Sequence, residues 1–141
     1  MLADEINRVL AEVSDRITPL DRNTGEAESC LNGFKVTFHA DEEHNLLTIS
    51  APIFQVDNLY DENFQKLSHK ILSMNSPEIL PAGLRLGVDV VALTVTLYGQ
   101  ADVSGTPEAA ALSCYVKTVL YYLGQVKEEL LRFTEEQAEE D

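Results

Sequence analysis

The sequence has few basic residues: ten lysines and arginines stand against 24 aspartates and glutamates, for a formal charge of −14. So acidic a chain repels phosphate backbones and anionic lipid surfaces, which argues against nucleic-acid binding and membrane docking and favours a basic or apolar partner. Cysteine is equally sparse. Cys30 and Cys114 lie far apart and are read as reduced, partly buried thiols rather than a disulfide. No apolar run approaches the ~18 residues of a membrane span. The start, MLADEINRVLAEVSDRI, has acids from Asp4 onward and no basic leader, so no signal peptide and a cytoplasmic location are expected. Tryptophan is absent and aromatics make up only 7% of the chain, so little points to a catalytic pocket.

What is present is an ordinary globular composition, with 45% apolar residues over 141 positions. That length fits one domain with a core large enough to need no disulfide or metal staple. The expected domain covers residues 1–134, and EEQAEED at 135–141 is expected to be a solvated acidic tail.

Periodicity supplies the elements. Leu2, Ile6, Val9, Leu10, Val13 and Ile17 step by three and four, which predicts a helix over about Ala3 to Ile17. TPLDRNTGEAES then reads as a loop. Phe34, Val36 and Phe38 alternate with polar residues, and so do Leu47, Ile49, Ala51 and Ile53 beyond ADEEHN, which predicts two antiparallel strands. A short strand around Cys30 and Leu31 is expected before them. Pro52 cannot donate a ladder bond and should lie at an edge or a strand end. A helix over about Asp61 to Met74 follows, with Asp61 as N-cap and Asn75-Ser76-Pro77 as its stop.

In LRLGVDVVALTVTLYGQ the apolar parity slips, from Leu84, Leu86 and Val88 to Val91, Leu93, Val95 and Leu97. A hairpin with a tight turn at Asp89 and Val90 resets the parity, and a bulge in one long strand would also do so. The hairpin is favoured, because a single strand of this length would be unusual. The last helix opens with Thr106 as cap and Pro107 in the first turn. Leu112, Val116, Val119, Leu123, Val126, Leu130 and Phe133 form a heptad seam along it, widened by Tyr115 and Tyr122. Gly124 inside that helix implies close packing there. The fold class is therefore α+β: an antiparallel sheet with three helices, in the order α-β-β(-β)-α-β-β-α.

No constellation carries chemistry. His39 and His44 flank Asp41, Glu42 and Glu43, but the spacing is not that of an EF-hand, and a polar hairpin turn accounts for it. His69 falls on the polar side of the second helix. There is no GxSxG and no glycine-rich phosphate loop. An enzyme, a cofactor and a bound metal are not expected. The apolar surplus has two readings: one core absorbs it, or part of it is buried against another chain.

The chain resembles the class I type III secretion chaperones, the CesT-like family of bacteria. The resemblance rests on LADEINRVLAEVSDRI, the strand pair FKVTFHAD and NLLTISAPIF, the helix ending near Met74, LRLGVD with VVALTVTLYGQ, and the long AAALSCYVKTVLYYLGQVKEELL helix. It implies a non-enzymatic homodimer that holds the extended N-terminal region of a secreted effector. It also implies effector contacts through Ile6, Leu10, Val13, Phe34, Val36, Leu47 and Ile49. A dimer interface would form at Phe64, Leu67, Ile71, Met74, Leu84, Leu86 and Val88. An effector segment can further add a strand to an open sheet edge. The long heptad seam of the last helix is a rival dimer element. Two other functions remain open at this level: a regulatory adaptor or anti-activator that sequesters a folded protein, and a small-molecule enzyme or carrier that would need a pocket of converging polar groups.

Overall fold

The computed structural model describes residues 2–105 and 108–140. Among the described residues the elements run α1 (Leu2–Val13), β1 (Glu26–Leu31), β2 (Phe34–Asp41), β3 (Leu46–Gln55), α2 (Glu62–Met74), β4 (Leu84–Asp89), β5 (Thr94–Asp102) and α3 (Ala109–Glu140). This is the expected α+β order, with the extra strand present but longer than expected, since β1 starts at Glu26 inside the stretch read as a loop.

The five strands form one antiparallel sheet in the order β1-β2-β3-β5-β4. Side-chain alternation gives the sheet one apolar face. Leu31, Val36, Phe38, Leu47, Ile49, Val95, Leu97, Leu84 and Leu86 all lie on it and are buried. The register explains why: Phe38 sits opposite Ile49, Ala51 opposite Leu97, and Leu97 opposite Leu86. The other face carries Thr37, Thr48, Ser50, Tyr98 and Arg85.

The α1 and α3 helices cover the apolar face, and α2 lies against β4. Leu112, Val116, Val119, Leu123, Val126 and Leu130 are all buried within the chain's own core. The heptad seam therefore packs on α1 and the sheet. The helix also runs past residue 134, so the EEQAEE segment is helical through Glu140. Thr106 and Pro107, the expected cap and first-turn residues, lie outside the described residues.

Several expectations need correction. The first helix stops at Val13, four residues early. The Asn7 side chain holds the returning chain: its amide donates to the Leu20 carbonyl (3.1 Å) and accepts from the Leu20 N–H (2.6 Å). Ile17 and Leu20 are therefore buried as parts of a loop. Pro52 lies inside β3, in the middle of the sheet. The β2 ladder has ended by then, at the Thr37–Ser50 pair, so the missing N–H faces no partner.

The parity slip is a hairpin, but its turn has four residues, Val90 to Leu93, between the paired Asp89 and Thr94. The β2–β3 turn is built the same way. In each, an aspartate carboxylate accepts turn N–H groups: Asp41 from His44, and Asp89 from Val91 and Ala92. The last residue is left-handed in both, Asn45 at φ 52° and Leu93 at φ 55°. Asparagine adopts that conformation readily and leucine does not.

Close packing occurs at a different glycine from the one expected. A Cβ on Gly124 would meet nothing within 4 Å, whereas one on Gly99 would lie 2.6 Å from the Tyr115 hydroxyl and 2.8 Å from Leu84 Cδ2. Gly99 lets α3 seat Tyr115 on β5.

Candidate partner-binding surface

A sheet with two edges has two rows of backbone groups that another chain can pair with. In β1 the two-residue turn Asn32-Gly33, with both φ positive, closes on the pair Leu31–Phe34. The bond from Ala40 N–H to the Gly25 carbonyl (2.9 Å) continues the same alternation. Odd-numbered residues of β1 therefore bond to β2, and Glu26, Glu28 and Cys30 point their backbone groups outward. The Glu26 carbonyl accepts from Asp21 N–H (2.9 Å). Glu28 and Cys30 have no outer backbone partner among the described residues.

The β4 edge is different. There the outward residues are Leu84, Leu86 and Val88, since the Gln100 N–H bonds to the Gly83 carbonyl and sets the alternation. Leu84 N–H donates to the Pro81 carbonyl (3.2 Å). Asn75, the C-cap of α2, donates its side-chain amide to the Leu86 carbonyl (2.9 Å) and accepts the Leu86 N–H (2.7 Å). A side-chain amide thus occupies the centre of this edge as a neighbouring strand would. One edge is open and the other is clamped.

The sequence-named residues divide by burial. Ile6, Leu10, Val36, Leu47 and Ile49 are fully enclosed in the core and present no side-chain surface to a partner. Val13 and Phe34 are partly buried and reachable, with Lys127 Nζ lying 5.4 Å from the Phe34 ring centroid. Of the residues assigned to a dimer interface, Leu67, Ile71, Met74, Leu84 and Leu86 are also buried within the chain, and Phe64 and Val88 are partly buried.

The apolar side chains that do face solvent were not assigned to a binding surface from sequence. They include Leu72 on α2 (70% exposed), Ile79, Tyr121, and the Val90–Val91 turn. Leu72 carried a readable signal, since it is an apolar residue off the 64-67-71-74 stripe. Cys30 and Cys114 are free thiols, but both are exposed rather than partly buried, because each sits on the outward side of its element.

The surface is acidic in detail as well as in sum. The Arg22 guanidinium holds the Asp4 carboxyl below its usual range. The backbone N–H groups of Thr24 and Asn23 do the same for Asp21, and the Lys70 ammonium, 2.8 Å away, does so for Glu129. The ligand atoms of Asp41, Glu43 and His44 lie within 4.8 Å of one another. Asp41 there pairs with His44 Nδ1 (2.8 Å) and closes the β2–β3 turn, so the turn itself explains the grouping. His69 is exposed on α2. Among the described residues no helix is long and apolar enough to cross a membrane.

No family model matches the chain, and no curated protein does. Solved structures do. A chain of the ExsC–ExsE complex superposes with a TM-score of 0.69 at 22% identity, covering 92% of this chain and 96% of that one. The HopA1–SchA chaperone–effector complex gives 0.60 at 19%, covering 90% and 91%. The heterodimeric ExoU–SpcU complex from the type III secretion system of Pseudomonas aeruginosa gives 0.60 at 16%, covering 90% and 95%. This is the fold of the type III secretion chaperones. The likeness spans nearly the whole of each chain, so the five-stranded sheet and all three helices belong to the shared fold.

Proposed function

We propose that this chain is a non-enzymatic, homodimeric chaperone of the bacterial cytoplasm, which holds the extended N-terminal segment of a type III secreted effector and keeps it soluble for export. The observation that carries the reading is the asymmetry of the sheet edges, in a fold shared with chaperone–effector complexes. An extended segment adds to β1 beside Glu28 and Cys30, where backbone groups are free, and backbone pairing holds it without requiring it to fold. Val13 and Phe34 supply reachable apolar contacts, while Ile6, Leu10, Val36, Leu47 and Ile49 support them from within the core. The acidic surface favours a basic segment and slows aggregation of free dimers.

Two copies associate through α2 and the β4 side. Leu72, Phe64 and Val88 are the accessible apolar residues there, and Leu67, Ile71, Met74, Leu84 and Leu86 form the rigid floor beneath them.

Proline scanning of β1 tests the reading. Glu28→Pro removes only an outward N–H, so the fold should survive while partner capture falls at least about tenfold. Ala27→Pro removes an inward ladder bond and should destabilise the sheet itself. Unchanged capture by the folded Glu28→Pro chain would contradict strand addition at β1. For the dimer, Leu72→Asp should yield folded monomers by light scattering, and a dimer that persists would place the interface elsewhere.

A further inference from the structure

A cavity of about 300 Å³ opens where the end of β3, the start of α2 and the last turns of α3 meet. Phe54, Phe64, Leu67 and Phe133 form its apolar wall. That is enough space for one bulky side chain. Its charged groups are all of one sign, beside the side-chain amides of Gln55, Asn58, Asn63 and Gln137. Asp57 and Asp61 line it, with no lysine or arginine among the lining residues. Asp61 gives one carboxylate oxygen to the Phe64 N–H (2.8 Å), and its other oxygen has no hydrogen-bond partner among the described residues. The Thr134 hydroxyl already donates to the Leu130 carbonyl (2.8 Å). The Gln137 Oε1 atom is buried without any partner. The Lys70 ammonium, 5.9 Å from the centroid of the Phe133 ring, is held by Glu129 at 2.8 Å. A slot whose charges are all negative favours a cationic occupant, and the buried, unpaired Gln137 Oε1 atom is placed to accept one of its N–H groups.

We propose that this cavity is an anchor site for the bound partner segment, taking a bulky aliphatic residue followed directly by arginine or lysine. The aliphatic side chain fills the phenylalanine-lined slot, and the cation meets Asp57, Asp61 and the Gln137 carbonyl. The inference rests on the chaperone reading and specifies what the segment must contain. It also gives the helical end of α3 a role, because Gln137 and Ala138 from the acidic terminal stretch form one wall.

The test is a titration of the full-length ¹⁵N-labelled chain with three capped peptides, Ac-Ser-Leu-Arg-Ser-NH2, Ac-Ser-Leu-Glu-Ser-NH2 and Ac-Ser-Ala-Arg-Ser-NH2. The Leu-Arg peptide should shift the Gln137 side-chain amide and the Phe64 N–H. It should bind about fivefold more tightly than the Leu-Glu peptide and about tenfold more tightly than the Ala-Arg peptide. Asp57→Lys, a change at an exposed residue, should reverse the preference between Leu-Arg and Leu-Glu. Shifts that are absent, equal for the three peptides, or located elsewhere overturn the anchor. Capture of the native partner separates the two levels. If wild type and Asp57→Lys hold it equally while the peptides ignore the cavity, the anchor fails and the chaperone reading stands. If wild type holds no extended segment, the chaperone reading itself fails.

Discussion

Two glycines with opposite surroundings make a paired test at the scale of single residues. Gly99 lies under Tyr115 and Leu84, so Gly99→Ala makes those two packed side chains shift and should cost about 1–3 kcal/mol in urea unfolding. Gly124 has open space where a Cβ would go, so Gly124→Ala should raise stability by up to about 1 kcal/mol through helix propensity alone. A loss on Gly124→Ala would mean that a second copy approaches α3 at that point. Tyr115 adds a third case. Its hydroxyl is buried without a partner, and desolvation pushes its ionisation well above the ordinary phenol range. Tyr115→Phe should be neutral or stabilising, because it removes a polar group that gains no hydrogen bond on folding. None of these contacts was legible in the sequence. Gly124 drew attention because it interrupts a helix, whereas Gly99 matters through a tyrosine sixteen positions away.

At the scale of elements, Asn75 performs two tasks. It ends α2, as its position before Ser76 and Pro77 announced, and it clamps the Leu86 backbone from the side. Asn75→Ala should cost about 1–3 kcal/mol and leave a second open edge, visible as concentration-dependent association. Unchanged stability and an unchanged association state would show that water replaces the amide without loss. The elements themselves were readable because their signals are local. The two strand periodicities, the Asp61 cap and the three-four stepping of α3 all survive in the structure. What failed required knowledge of partners distant in sequence. The Asn7–Leu20 bonds that end α1, the departure of β2 that admits Pro52, and the four-residue turn with a left-handed Leu93 leave no periodic trace. The candidate site fared worse for the same reason. Strong alternation marks the residues best buried, so the reading named Val36 and Leu47, which the core encloses, and passed over Leu72, which it does not.

The whole molecule is governed by its charge of −14. Asp4, Asp21, Asp41, Asp102 and Glu129 all have carboxyls held below their ordinary range by hydrogen bonds or a nearby cation. A depressed folded-state value means that the unfolded chain takes up protons first as pH falls. Their stabilisation is therefore complete above the ordinary carboxylate range, about pH 4, and is lost progressively below it. Asp21→Asn keeps an acceptor for the Asn23 and Thr24 N–H groups but not the charge that strengthens those bonds, so it should lower stability near pH 7 towards its acid-side value and thereby flatten the acid limb of the stability profile. An unaltered acid limb would assign the loss to other groups. The same charge, in a fold with one open edge and one clamped edge, is what makes an extended basic segment the expected cargo. The most direct measurement is amide hydrogen exchange on the complex formed with the native partner. The account predicts slowed exchange at the outward amides of Glu28 and Cys30, unchanged exchange at Leu86, and protection in the partner confined to an otherwise unfolded N-terminal segment. Unprotected Glu28 and Cys30, with a partner that keeps a folded exchange pattern of its own, would contradict it and favour an adaptor that docks folded proteins.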